Sequence, residues 1–433
     1  MISGRRWLAV CTVLPAAALA QELPSSTETG QSPLDESFGA TTRAEWLRDT
    51  RRKAWADTKF DVELRTYDFD RDNFDDSENE ALAIGGHAGF KTGYFRERFA
   101  LGASGYTSQR IYGPEEKDGT GLLAPGQEGY TVVGELFGEL LLSEGTRLTI
   151  GRRGFDTPFL NRNDSRMSPN TFEAIALQGV HGGGEGESEW RAGAGYFDEI
   201  KQRNSDEFVS MATTAGAPAG IERGVIVAGA NYRKGDLSIG AIDYYSDDIV
   251  NIFYTEAKHT LRLGKDRRVQ FALQYSDQQG VGENLLGADF SSAQLGGKAE
   301  LGMGGALFTV AYTNASGDSG MRSPWGSYPG YTSVQVSDFN REGEDAWMLR
   351  AAYNFPATNG LGVYALLIKG SEPDDPAQFA KDEFNLNLQW SPENGPLKGL
   401  LLRLRYARVT QDDPESSDLD ELRLMAYYDP PSL

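Results

Sequence analysis

The sequence predicts an all-β fold: an antiparallel transmembrane barrel of about eighteen strands, with long external loops and the third loop folded into the lumen. Three observations predict it. From Thr58 onward apolar and polar residues alternate in runs of roughly nine to thirteen residues, the length of a tilted membrane strand. The connections between runs alternate short and long. After the N-terminus, no apolar run is long enough for a transmembrane helix.

The N-terminus reads as a secretory signal covering residues 1–20. Arg5 and Arg6 form the basic region, residues 7–17 the apolar region, and Ala18-Leu19-Ala20 the cleavage site. Leu8-Ala9-Val10-Cys11 imitates a lipoprotein box, but Val10 stands where a small residue belongs. Cys11 is the single cysteine, so the mature chain has neither disulfides nor thiolate ligands. Residues 21–57 are expected to form a periplasmic leader, polar as far as Gly39. A short helix is expected within 40–56, with Thr42 as N-cap and Glu45 three residues on. The barrel takes 58–433.

The formal charge is −21, and removing Arg5 and Arg6 makes it −23 (40 basic against 63 acidic residues). That balance argues against nucleic acid as a partner. It suits a surface bathed by divalent cations, outer-membrane lipids and lipopolysaccharide.

Each run has one apolar face. Phe60, Val62 and Leu64 alternate with Asp61, Glu63 and Arg65. Val269, Phe271, Leu273 and Tyr275 alternate with Gln270, Ala272 and Gln274. Leu422, Leu424 and Ala426 alternate with Glu421, Arg423 and Met425. A soluble sandwich would bury the apolar face; a membrane barrel turns it to lipid. Run length and loop alternation select the barrel. Short turns lie at Gly145, 234–235 and 263–266; long loops span 109–129, 154–170, 198–222 and 316–343. Aromatics near run ends, Tyr67, Tyr94, Tyr244, Tyr245, Tyr353, Trp390, Tyr427 and Tyr428, are expected in interfacial girdles.

The stretch 152–178 holds the third external loop. It is rich in Gly, Pro, Asn and Asp and concentrates Asn161, Arg162, Asn163, Asp164 and Arg166. A lumen of about eighteen strands is too wide for side chains to fill, so a selective pore needs an inward loop.

Asn163-Asp164-Ser165-Arg166-Met167-Ser168-Pro169-Asn170-Thr171-Phe172-Glu173 resembles the N-D-x-R-x-x-P-x-T-F-E loop of the OprD family of outer-membrane porins. Further ordered matches are Asp338 to Trp347, Gly395-Pro396-Leu397-Lys398-Gly399-Leu400 and the C-terminal segment from Asp420. The resemblance covers most of the chain after Thr58. It implies a constriction at Asn163, Asp164, Ser165 and Arg166. It also implies a ladder of lumenal cations guiding small carboxylate-bearing solutes. By inward parity its rungs are Lys258, Arg262, Lys298, Arg350, Arg403, Arg405 and Arg423. Such a ladder works because low-dielectric walls focus each charge, and Arg presents a fork matched to carboxylate. The same parity turns Asp61, Glu63, Glu256, Glu300, Glu383 and Glu421 inward, with Glu135 and Glu139 sharing one face, so a lumen of mixed sign is expected.

Other constellations carry less. Gly317-Asp318-Ser319-Gly320 imitates a protease nucleophile, but the only histidines are His87, His181 and His259, and turn chemistry explains it better. Asp68, Asp70, Asp72, Asp75 and Asp76 lack the ligand pattern of an EF-hand. No enzyme activity, metal site or cofactor is expected. The reading is a passive porin, monomeric or loosely oligomeric. The alternative is an exporter pore for an acidic polysaccharide, which needs a wider and more cationic path.

Overall fold

The computed structural model describes residues 43–184, 186–287, 289–413 and 418–430. The signal segment and Thr42 lie outside them.

A helix α1 (Arg43–Thr50) precedes the sheet. Eighteen antiparallel strands then follow one another round the barrel. They are β1 (Lys59–Asp72), β2 (Glu78–Lys91), β3 (Phe99–Tyr112), β4 (Tyr130–Ser143), β5 (Thr146–Arg153) and β6 (Thr171–Gly182). Next come β7 (Glu189–Lys201), β8 (Val225–Lys234), β9 (Leu237–Ser246), β10 (Val250–Arg262), β11 (Arg267–Gly280) and β12 (Ser291–Met303). The last six are β13 (Ala306–Gly317), β14 (Asp345–Phe355), β15 (Leu361–Gly370), β16 (Lys381–Trp390), β17 (Leu400–Gln411) and β18 (Leu419–Tyr428). In the fourth loop a two-residue strand, Val209–Ser210, adds to β7 and leads into helix α2 (Met211–Ala215).

β1 pairs with β18 from Leu64↔Tyr428 to Asp72↔Asp420, which closes the sheet. Closure leaves no unpaired edge, the condition for strands in hydrocarbon. The barrel is inside out relative to a soluble protein. Phe60 and Leu273 are each 63% exposed, whereas Gln278 and Thr313 are fully buried. The period-two pattern therefore set the faces as expected. Gly86 in β2 has a φ of +130°, and a Cβ there would stand 1.9 Å from the Glu63 carbonyl oxygen, so only glycine fits.

The aromatic expectation needs correction. Tyr245, Tyr353 and Tyr428 do lie exposed on the outer face. Tyr67, Tyr94, Tyr244 and Tyr427 are buried and belong to the inner face. Neighbours such as Tyr244-Tyr245 must split, because successive strand residues point opposite ways.

Candidate functional site

Loop three runs through 154–170 and is built for inward contact. Pro158 and Pro169 stop strand pairing, and Asn163 takes a left-handed φ of 42°, which Asn tolerates. Its centre is Asn161, which is buried. The Asn161 Nδ2 donates to the carbonyls of Pro158 (3.2 Å) and Ser327 (3.1 Å), and Oδ1 accepts from the Ser327 amide (2.9 Å). The Asn161 amide donates to the Trp325 carbonyl at 3.2 Å. Ser327 and Trp325 belong to loop seven, 318–344, so loops three and seven form one body. Phe159, fully buried, packs edge-on against Tyr244 (6.1 Å), Tyr254 (6.2 Å) and Tyr328 (5.8 Å). Those rings come from β9, β10 and loop seven, and they seat the body on the inner wall.

The four expected constriction residues divide into two kinds. Asp164 is half-buried and faces Arg65 of β1, with Nη1–Oδ1 at 2.5 Å and Nη2–Oδ2 at 2.8 Å. Asn163 Oδ1 and Ser165 Oγ both accept from Arg203 Nη1, at 3.1 and 2.5 Å. Arg166 does not line open space. It is 6% exposed, donates to the Thr120 carbonyl (2.8 Å) and the Ser165 carbonyl (2.9 Å), and stacks on Phe69 (5.1 Å). It fastens loop three to loop two and to β1. Burial, then the nearby Arg423, push the Arg166 guanidinium down to about 10. Burial, then Arg166, push Arg203 down to about 9. Desolvation opposes ionisation of Asp164, but Arg65 outweighs it and holds the carboxyl below its ordinary range.

The expected ladder residues occupy the wall at different depths. Lys258 bonds Glu256 (3.0 Å), and Lys298 faces Glu300 (3.7 Å) and the Tyr331 ring (4.8 Å). Arg350 lies 4.3 Å from the centre of the Tyr364 ring. Arg403 donates to Gln389 Oε1 at 3.0 and 2.6 Å. Arg405 and Arg423 are direct cross-strand partners, and both are buried. Arg423 also donates to Glu421 (2.6 Å) and to the Gln335 carbonyl (3.0 Å). Arg262 stands apart. Its side chain is 76% exposed at a strand end, where it pairs with Asp236 at 2.9 Å.

The inward carboxylates are largely committed. Glu63 takes Arg65; Glu421 takes Arg71 and Arg423. Glu256 also accepts from Tyr331 at 2.8 Å. Glu383 accepts the Val336 and Ser337 amides at 3.0 and 2.9 Å, and Glu139 takes Lys91 and Arg153. Glu135 accepts the Gly154 amide at 2.8 Å and so fixes the start of loop three. Asp61 faces His87 at 3.1 Å.

Sequence reasoning missed loop seven as an inward element. Its signal was available: Trp325, Tyr328, Tyr331 and Phe339 are too apolar for a hydrated outer loop, and all are buried. Arg65, Lys201 and Arg203 were missed too. Lys201 is fully buried and donates to Ser168 Oγ at 2.8 Å. The protease-like turn behaves as a turn: Asp318 accepts the Ser291 amide at 2.6 Å, and Ser319 Oγ donates to the Gly320 carbonyl at 3.4 Å.

A family model described as outer membrane porin, OprD family, matches residues 53–431. The chain is 27% identical over 420 residues to Porin D of Pseudomonas aeruginosa, covering 86% of this chain and 90% of Porin D. Among solved structures it is similar to OccK9 (OpdG) of Pseudomonas aeruginosa, with a TM-score of 0.77, 26% identity, and coverage of 87% of this chain and 99% of that one. It is similar also to OpdK of Pseudomonas aeruginosa solved with vanillate, at TM-score 0.74 and 25% identity over 87% of this chain and 99% of that one. OccAB3 of Acinetobacter baumannii shares the fold at TM-score 0.75 and 19% identity, covering 86% of this chain and 99% of that one. A barrel of this closure and a family match over residues 53–431 lead to one conclusion: the chain belongs to the OprD family of outer membrane porins and resides in the bacterial outer membrane.

Proposed function

We propose that this porin passes small carboxylate-bearing solutes, such as organic acids and amino acids, down their gradient through a lumen narrowed by loops three and seven. One observation carries the reading. The inward carboxylates are held by neighbouring cations or amides, while Arg350 has no ion pair among the described residues. On this reading a solute meets cations along a wall whose carboxylates are already engaged, even though the whole chain is strongly acidic. Lys258, Lys298, Arg350, Arg403, Arg405 and Arg423 form the guiding series, and several weak sites let a solute both enter and leave. Arg262 contributes at the rim. Asn163, Asp164, Ser165 and Arg166 shape the constriction: Asp164 and Ser165 hold loop three to its neighbours, and Arg166 acts from behind it. No covalent step is needed.

The relative solved with vanillate supports a carboxylate-bearing solute. The interlocked loops weigh against export of a bulky polysaccharide. Each chain closes its own barrel, which suits a monomer or loose oligomer within lipid and lipopolysaccharide. The test is reversal potential and single-channel current of the refolded mature chain across a salt gradient in a planar bilayer. Anion selectivity, with current reduced by millimolar benzoate or succinate, supports the reading. Cation selectivity without carboxylate block overturns it.

A further inference from the structure

The family match begins at residue 53, so helix α1 (Arg43–Thr50) lies in front of it. Yet α1 is fastened to the barrel at several points. Trp46 is 2% exposed, packs on Val180 of β6, and donates from Nε1 to the Glu144 carbonyl at 2.9 Å. The Arg147 guanidinium of β5 lies 4.3 Å from the Trp46 ring. Arg43 donates from Nη1 to the Val180 carbonyl (2.5 Å) and from its amide to Glu189 (3.1 Å). Arg51 pairs with Glu144 at 2.6 Å. Residues 52–54 then strap the β2–β3 turn: the Tyr94 amide donates to the Arg52 carbonyl (2.7 Å), and the Gly93 amide to that of Ala54 (2.8 Å). A Cβ on Gly93 would stand 2.6 Å from the Lys53 backbone, so glycine permits this approach.

The contacts lie on the inner face. Arg147 and Val180 share the buried inward parity of their strands, and Glu144 is in the two-residue β4–β5 turn. Under α1 sits a charged cluster. Glu139, fully buried, meets Lys91 (2.8 Å), Arg147 (3.8 Å), Arg153 and the Tyr94 hydroxyl (2.6 Å). Asp49 of α1 completes it, 2.7 Å from Lys91 and 3.5 Å from Arg147. Burial opposes ionisation of Asp49, and the Lys91 ammonium outweighs it, so the carboxyl stays below its usual range. Without Asp49 the wall would hold Lys91, Arg147 and Arg153 against Glu139 alone.

We propose that α1 is a built-in plug at the periplasmic exit, latched by Trp46 under Arg147 and by Asp49 on Lys91 and Arg147. The docked helix narrows the exit, and its release widens it. Its Asp49 carboxylate occupies cations that a departing anion would otherwise meet. That last point rests on the carboxylate reading above; the plug itself does not.

The experiment is single-channel recording of the refolded mature chain in potassium chloride alone, so its outcome does not depend on carboxylate selectivity. A chain lacking residues 43–50 defines the unplugged level; its barrel strands are intact, and heat-modifiable migration on gels reports closure. Wild type is expected to spend most of its time at a lower level, with excursions to the unplugged one. Asp49→Asn and Trp46→Ala are each expected to raise occupancy of the higher level several-fold. Identical levels and dwell times in wild type and the shortened chain overturn the plug. A changed shortened chain with both point variants silent overturns Asp49 and Trp46 as its latch.

Discussion

Arg65 on β1 grips Asp164 in loop three with both terminal nitrogens, at 2.5 and 2.8 Å, and its Nη1 also donates to the Arg166 carbonyl at 2.8 Å. One guanidinium thus fixes the carboxylate and the backbone of the loop tip to a strand four positions round the sheet from the strand that leads into it. Asp164→Asn should weaken that hold by about 1–3 kcal/mol, since the buried Arg65 would keep Glu63 as its charged partner and only a neutral one in the loop. The barrel should remain closed. The loop should fluctuate more, seen as increased open-channel current noise; noise equal to wild type would count against Asp164 as an anchor.

The same pair predicts an acid response. The Asp164 carboxyl is held below its ordinary range, chiefly by Arg65 against the cost of burial, with Arg162 and His87 adding in the same sense. A carboxyl lowered in the folded state contributes stability that is fully present above its unfolded value of about 3.9 and is lost as pH falls through the lowered value. Anchoring of loop three should therefore persist at pH 5 to 8 and weaken below about pH 3.9. Open-channel noise should rise in that acidic window in wild type. In Asp164→Asn it should already be high at neutral pH and change less on acidification.

Arg350 is a wall cation with no ion pair among the described residues. It lies over Tyr364, a contact worth about 0.5–2 kcal/mol, and its fold role is small beside its field. Arg350→Gln should lower anion-over-cation permeability by a factor of a few with little change in barrel stability. Reversal potential in a salt gradient checks it. A potential matching wild type would remove Arg350 from the guiding series.

Much of this was readable, and the limits have physical causes. The inward parity of Glu421 and Arg423 follows from period two, which strands obey and a lipid face enforces. Loop three could be placed because its Asn, Asp and Arg residues need polar partners. Its details could not. Arg166 has the same chemistry whether it lines a pore or backs a loop, and its partner Thr120 is remote in sequence. Loop seven was hidden because the destination of a long loop depends on pockets made by distant strands, here Glu256, Asn385 and Glu421. The committed state of the inward carboxylates depends likewise on rotamers and cross-strand register, which a composition count does not contain.

Phe159 ties the body formed by loops three and seven to ordinary core physics. The ring is fully buried among Tyr244, Tyr254 and Tyr328, in the cluster that also holds Leu160 and Trp325. Phe159→Ala should cost about 3–5 kcal/mol in a well-packed site. That loss falls on the body formed by loops three and seven, because the strand ladder does not depend on it. The expected phenotype is a folded barrel with larger single-channel conductance and reduced protection of loop amides in hydrogen exchange. Trp325→Ala should act on the same body, since Trp325 Nε1 donates to the Met211 carbonyl at 3.0 Å and its own carbonyl accepts from Asn161. Two residues seating one body should not add: once the first releases it, the second has little left to release. A double variant whose conductance gain equals the sum of the singles would mean that loops three and seven narrow the lumen independently.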